Sequence, residues 1–147
     1  MVTVKKATLE HIALIAPLFN NYRIFYKQES NLEAAINFLK ERLTKGQSHI
    51  FIAFKGDEAV GFTQLYTSYS SVSLLPIFIL NDLFVDANYR SKNIGAALLQ
   101  KAQEFCLENK YKGVALETAT DNPAQKLYEK LNWKKDTNSF HYFWTAK

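Results

Sequence analysis

The run Leu80-Asn81-Asp82-Leu83-Phe84-Val85-Asp86-Ala87-Asn88-Tyr89-Arg90-Ser91-Lys92-Asn93-Ile94-Gly95-Ala96-Ala97-Leu98-Leu99 constrains this chain most. An apolar strand ends near Val85, a polar loop carrying Arg90 and Lys92 follows, and Asn93-Ile94-Gly95 opens directly into a helix with Ala and Leu on one face. Main-chain N–H groups at a helix start have no partner within the helix, and the helix dipole there favours negative charge. Such a turn can hold a phosphate without a dedicated side chain. Gly113 to Ala119 reads as the next strand. A strand, a helix and a strand in this succession predict a right-handed crossover between parallel strands.

The remaining segments predict what surrounds this unit. Val2 to Ala7 alternates as a short strand, and Thr8 can cap a helix whose apolar positions Ile12, Ile15, Ala16, Phe19, Tyr22 and Tyr26 recur at three and four residues. Pro17 predicts a kink or break within it. Ser30 is the expected cap of a second helix with Leu32, Ala35, Ile36, Leu39 and Leu43 on one face, ending before Gly46. His49 to Phe54 and Ala59 to Ser70 form a hairpin, the second strand carrying Gln64, Tyr66, Ser68 and Ser70 on one face. Asp121-Asn122-Pro123 caps a short helix with Ala124, Leu127, Tyr128 and Leu131 as its stripe. Trp133 to Asp136 and Phe140 to Thr145 predict a C-terminal hairpin. The expected architecture is a single α/β domain over residues 1–147, with a mixed sheet and helices on both faces.

Composition narrows the function classes. A chain of 147 residues with 48% hydrophobic side chains supports one full core, and its net charge of +4 is spread along the chain. That spread predicts a solvated surface and no nucleic-acid partner. Cys106 is the only cysteine, so no intramolecular disulfide forms; its helical position predicts a small buried residue and fits a reducing cytoplasm. Met1-Val2-Thr3-Val4-Lys5-Lys6 lacks the apolar run of a signal peptide, and no stretch has the length of a membrane span, so a cytoplasmic protein with no membrane partner is expected. His11, His49 and His141 share no metal-ligand spacing, and no metal is expected.

Arg90-Ser91-Lys92-Asn93-Ile94-Gly95-Ala96-Ala97-Leu98-Leu99 resembles the acetyl-coenzyme A loop of the GNAT N-acetyltransferases, with Asn93 at the place of the first glycine. Asn122-Pro123-Ala124-Gln125-Lys126-Leu127-Tyr128-Glu129-Lys130-Leu131-Asn132-Trp133 resembles a second motif of the same family, with Asn132 where glycine is common. If the position of Asn93 needs positive φ, asparagine is the next most tolerant residue. The resemblance implies the GNAT sheet, mostly antiparallel with one central parallel pair, and acetyl-CoA as cofactor. It implies that the backbone of Ser91, Lys92, Asn93, Ile94, Gly95 and Ala96 holds the pyrophosphate, that Arg90 and Lys92 add charge, and that Asn122 contacts the cofactor. Phe84 and Val85 would supply donors to the developing oxyanion at the strand end.

On the same resemblance Tyr128 lies beside the coenzyme A sulfur and protonates the leaving thiolate; taken alone, its place on a helix stripe reads as packing. Leu80 to Val85 resembles the strand of the spermidine/spermine N-acetyltransferases, with Asn81 in place of a glutamate. Asp82 there either binds or deprotonates the amine, or is a hydrogen-bonding strand residue. Losing a carboxylate at Asn81 weakens a site for multiply charged cations, so the acceptor is either a polyamine or something simpler. Tyr22-Arg23-Ile24-Phe25-Tyr26 and Gln64-Leu65-Tyr66, with Ser70 and Ser71, are similar to the pocket walls of small-amine GNAT enzymes, and Arg23 suits a substrate carboxylate or a surface ion pair. The expected activity is acetyl transfer from acetyl-CoA to a primary amine by direct attack. Transfer to a protein lysine or N-terminus, and a non-catalytic acyl-CoA sensor, are the alternatives. Apolar residues on both faces of Phe140 to Trp144 predict a homodimer.

Overall fold

A five-stranded sheet in the order β1-β2-β3-β4-β5 organises the computed structural model, which describes residues 1–146. The elements are β1 (Val2–Lys6), α1 (Ile12–Phe25), α2 (Leu32–Thr44), β2 (His49–Lys55), β3 (Glu58–Ser70), β4 (Leu75–Val85), α3 (Ile94–Glu108), β5 (Val114–Ala115) and α4 (Gln125–Lys130). Neighbours pair antiparallel except β4 and β5, which run parallel with α3 as the crossover. The chain divides into two units at Glu117: the whole sheet and α1 to α3 belong to the first, and α4 belongs to the second.

The two-residue period of β2 gives each face of the sheet its own helix layer. Ile50, Ile52 and Phe54 join Phe62 and Phe84 beneath α1 and α2, meeting Ile12, Ile15, Phe19 and Leu39 in one buried cluster. On the other face His49, Phe51 and Phe78 make ring contacts with Phe105 of α3 at 5.0 to 5.2 Å for the latter's three pairs. Cys106 is buried on α3, and burial pushes its thiol above the usual range, in keeping with a packing role.

Helix α1 runs through Pro17 without a break, because Ile15, Ala16, Leu18 and Phe19 on either side of it are buried and their packing outweighs one missing hydrogen bond. Thr8 precedes a short 3₁₀ turn at Leu9–His11 instead of the helix itself. Asn31, not Ser30, caps α2: its side chain accepts from the Ala34 N–H at 3.0 Å, while Ser30 Oγ accepts from Asn20 at 3.0 Å. Asn122 Oδ1 accepts from the Ala124 N–H, so the turn at Pro123 precedes α4, which starts at Gln125.

Two expectations fail at the C-terminal side. The strand expected over Gly113 to Ala119 shortens to Val114–Ala115, pairing only with Phe78 and Ile79. The cause lies on β4, where Gln64 pairs with Asp82 but Leu65 pairs with Leu80, leaving Asn81 as an extra, bulged residue. A bulge bends and twists its strand, so β4 leaves β5 just past Ile79. The hairpin expected between Trp133 and Thr145 is absent, and residues 134–146 carry neither helix nor strand. Phe140, Tyr142, Phe143 and Trp144 are exposed, and two strands with no covered face are not stable in water. With no strand beyond β5 among the described residues, the parallel pair lies at the end of the sheet and not at its centre.

Candidate active site

The bulge at Asn81 also sets the chemistry. Asp82 follows it on the face covered by α1 and α2, and is only 2% exposed although no basic side chain pairs with it among the described residues. Neutral groups hold the carboxylate: Gln64, directly opposite on β3, donates through Nε2 to Oδ2, and Asn81 donates through Nδ2 to Oδ1 at 2.8 Å. The main-chain oxygen of Asp82 accepts from Thr63 Oγ1 at 2.8 Å, which locks β4 to β3 at this point. Burial pushes the Asp82 carboxyl above its usual range, partly offset by the donors Gln64 and Asn81.

A cavity of about 490 Å³ opens over this carboxylate. Phe19, Tyr22 and Arg23 of α1 and Tyr26 at its C-terminal cap stand at i, i+3, i+4 and i+7, so the end of one helix face supplies one wall; Phe38 of α2 and Tyr66 of β3 supply others. The rings brace each other, Tyr22 meeting Tyr26 at 5.0 Å and Phe19 meeting Phe38 at 5.7 Å between centroids. Tyr22 reaches across to donate to the Asn81 main-chain oxygen at 3.1 Å. Burial first, then the Asp82 charge, raises the Tyr22 hydroxyl far above the usual phenol range and Tyr66 to about 12, so both stay protonated at neutral pH.

Tyr22, Arg23, Tyr26, Tyr66, Asn81 and Asp82, expected as acceptor-side residues, therefore line one cavity. Gln64 does not line it: it is fully buried behind Asp82 and touches the pocket only through that carboxylate. Phe38 was not visible as a wall in the sequence. Its signal is an aromatic residue lying off the Leu32, Ala35, Ile36, Leu39, Leu43 stripe of α2, 39% exposed where a solvated helix face calls for polar side chains.

The loop before α3 takes the conformation its sequence suggested. Asn93 has φ of 63° and Ser91 65°, both left-handed, so asparagine fills a place that favours glycine. No acidic residue lies in the first turn of α3 and no side chain caps it, which leaves its leading N–H groups open to an anion. Arg90 is held rather than loose: Nε donates to the Val85 oxygen at 2.9 Å and the guanidinium lies over Phe84 and Phe25 at 5.5 and 5.7 Å. Lys92 lies over the Tyr89 ring at 5.7 Å. Past Ile79, the side of β4 away from β3 pairs with no strand among the described residues; Arg90 takes the Val85 oxygen, and the other main-chain groups on that side have no ladder partner there. A strand edge with free amides running to an anion-binding helix start fits a long, amide-containing phosphorylated cofactor such as coenzyme A.

In the second unit, Tyr128 is half-buried on α4, its ring 6.1 Å from that of Trp133, and Asn132 has φ of 69°. Asn122 is half-buried at the turn before α4.

Residues 14–133 match the acetyltransferase (GNAT) family. The chain belongs to that family. The "uncharacterized N-acetyltransferase YhfO" of Bacillus subtilis (strain 168) is 45% identical over 140 residues, covering 95% of this chain and 94% of the relative. A "probable acetyltransferase" of Haemophilus influenzae is 32% identical over 137 residues, covering 84% and 94%. A crystal structure of a probable acetyltransferase superposes with a TM-score of 0.92 at 37% identity, covering 99% of this chain and 98% of that one. The protein is thus a GNAT acetyltransferase, a family that uses acetyl-CoA, with the mixed sheet and helices on both faces that its sequence predicted. Among the described residues no helix is long and apolar enough to cross a membrane.

Proposed function

We propose that this GNAT acetyltransferase transfers an acetyl group from acetyl-CoA to the primary amine of a small molecule held in the cavity between α1, α2 and β4. The observation that carries the reading is the buried carboxylate of Asp82 at an aromatic-lined cavity, with neutral donors and, among the described residues, no basic partner. A buried charge without a counter-charge costs several kcal/mol, so its presence calls for a cationic ligand or a proton. An amine acceptor brings both.

A primary amine with a pKa near ~10 is protonated at pH 7, and freeing it costs about 4 kcal/mol. Asp82 first pairs with the ammonium and then takes one proton from it, and its raised pKa suits that transfer better than an ordinary carboxylate would. The rings of Tyr22, Tyr26 and Tyr66 keep water from the neutral amine and offer π faces to the cation. Acetyl-CoA supplies the activated acetyl thioester. Its pyrophosphate is assigned to the main chain of Ser91 to Ala96 and its amides to the free edge of β4, with Phe84 and Val85 the nearest source of oxyanion donors. Asn122 as a cofactor contact and Tyr128 as the acid for the leaving thiolate complete the reading on their match to the family's second motif.

Thiol release from acetyl-CoA over a panel of small amines, with peptides bearing free N-termini and lysines alongside, tests this. The expected result is turnover with a small amine, lowered about 10²- to 10⁴-fold in Asp82→Asn with acetyl-CoA binding retained. Turnover with peptides alone would assign the protein acceptor instead, and acetyl-CoA binding without thiol release from any acceptor would leave a sensor.

A further inference from the structure

Two charged side chains of opposite sign line the acceptor cavity, Asp82 and Arg23. Among the described residues neither takes part in an ion pair, with the other or with any third group. Asp82 is held by the side-chain amides of Gln64 and Asn81, and Arg23 donates through Nη1 to the main-chain oxygen of Glu29 at 3.2 Å. Arg23 shares its helix face with Phe19, Tyr22 and Tyr26, a place where packing alone calls for another apolar residue. The bond to Glu29 anchors the guanidinium at the cavity and leaves its other N–H groups for a second acceptor.

A cavity that keeps an anion and a cation apart, each without a counter-charge, is complementary to a ligand that carries both. We infer that the acceptor is dipolar, with a primary amine directed to Asp82 and a carboxylate directed to Arg23, as in an amino acid. This rests on the reading of the cavity as the acceptor site of the acetyltransferase. A planar guanidinium suits a carboxylate because it donates two parallel hydrogen bonds. A polyamine fits worse: its second ammonium would meet Arg23 with no second carboxylate in the lining, and Asn81 is neutral. The volume of about 490 Å³ is ample for an amino acid bearing an aromatic or aliphatic side chain among the rings.

The test compares matched acceptors that differ only in the carboxylate, phenylalanine with phenethylamine and 4-aminobutyrate with butylamine, together with 1,4-diaminobutane, in the full-length chain with acetyl-CoA. In at least one pair the amino acid is expected to exceed its amine in kcat/KM by about 10- to 100-fold, the worth of one charge-assisted hydrogen bond. Arg23→Gln should collapse that ratio toward one, and Arg23→Lys should restore part of it. A wild-type preference for the bare amine or the diamine overturns the inference, as does a ratio that Arg23→Gln leaves unchanged. In those outcomes a small amine is still acetylated, so the acetyltransferase reading stands. Acetylation of peptides with no small amine accepted overturns both, and the wild-type ratios decide even if Arg23→Gln fails to fold.

Discussion

Asp82 is where sequence chemistry and strand geometry meet, and its titration has two separable consequences. Burial raises its pKa in the folded chain, so the native state binds this proton more tightly than the unfolded state does. The stability it contributes is fully present below the ordinary carboxylate pKa and is lost as pH rises through the raised one. Asp82→Asn cannot ionise, and Gln64 can turn its amide so that Oε1, which is buried without a partner, accepts from the new side chain. Thermal denaturation should therefore show a smaller fall in Tm in the variant than in the wild type as pH rises from about 4, the ordinary carboxylate pKa, to neutral; equal falls would show that this carboxylate is not the source. On the proposed mechanism the sign reverses in activity, because Asp82 must be deprotonated to act as the base. On the same mechanism Gln64 is a positioning residue acting through Asp82, and losing its donor removes about 1.5–3 kcal/mol of stabilisation from the charged form. Gln64→Leu should then move the acidic limb of the kcat/KM profile up by about one to two pH units. A merely structural role would lower activity without moving that limb.

At the scale of elements, the bulge in β4 and the left-handed turn before α3 do most to build the site. Gly61 on β3 lies against β4 just beyond the bulge: a Cβ there would stand 2.9 Å from the main-chain oxygen of Phe84. Since that neighbour is backbone, Gly61→Ala must displace β4, at a cost of about 1–3 kcal/mol read as a lowered Tm. At the other end of the loop Asn93 adopts φ of 63°, so Asn93→Gly should keep stability and acetyl-CoA affinity, whereas Asn93→Val should lose about 1–2 kcal/mol and bind the cofactor more weakly by calorimetry. The turn was legible because its chemistry is local: Asn93, Gly95 and the helix stripe of Leu98 and Ala102 all act within a few residues. The bulge was not, since Asn81 and Asp82 alternate like any strand and only pairing with Gln64 and Leu65 reveals the extra residue. The short β5 follows from that bulge and was hidden with it. Ser30 and Asn31 are adjacent capping residues, and tertiary contact with Asn20 decided which of them caps α2.

For the whole molecule, the first unit holds the sheet, the cavity over Asp82 and the loop before α3, while Asn122 and Tyr128 lie on the second. The C-terminal segment shows where pattern reading stops. Phe140, Tyr142, Phe143 and Trp144 have the composition of a strand, yet a strand needs a partner ladder and a covered face, and neither is encoded within the segment itself. Gln64 is a parallel case within the site, since its polar character marked the cavity face while only packing showed it behind Asp82. Roles placed on different units can be separated by experiment. On the proposed mechanism Asp82 accepts the proton of the amine and Tyr128 delivers one to the leaving thiolate, so the two govern different parts of the same pH profile. Tyr128→Phe should lower kcat by about 10²-fold or more with acetyl-CoA binding retained, and should leave the acidic limb of kcat/KM where the wild type has it. Asp82→Asn should abolish that limb. If Tyr128→Phe turns over as fast as the wild type, Tyr128 is packing against Trp133 and the thiolate takes its proton elsewhere.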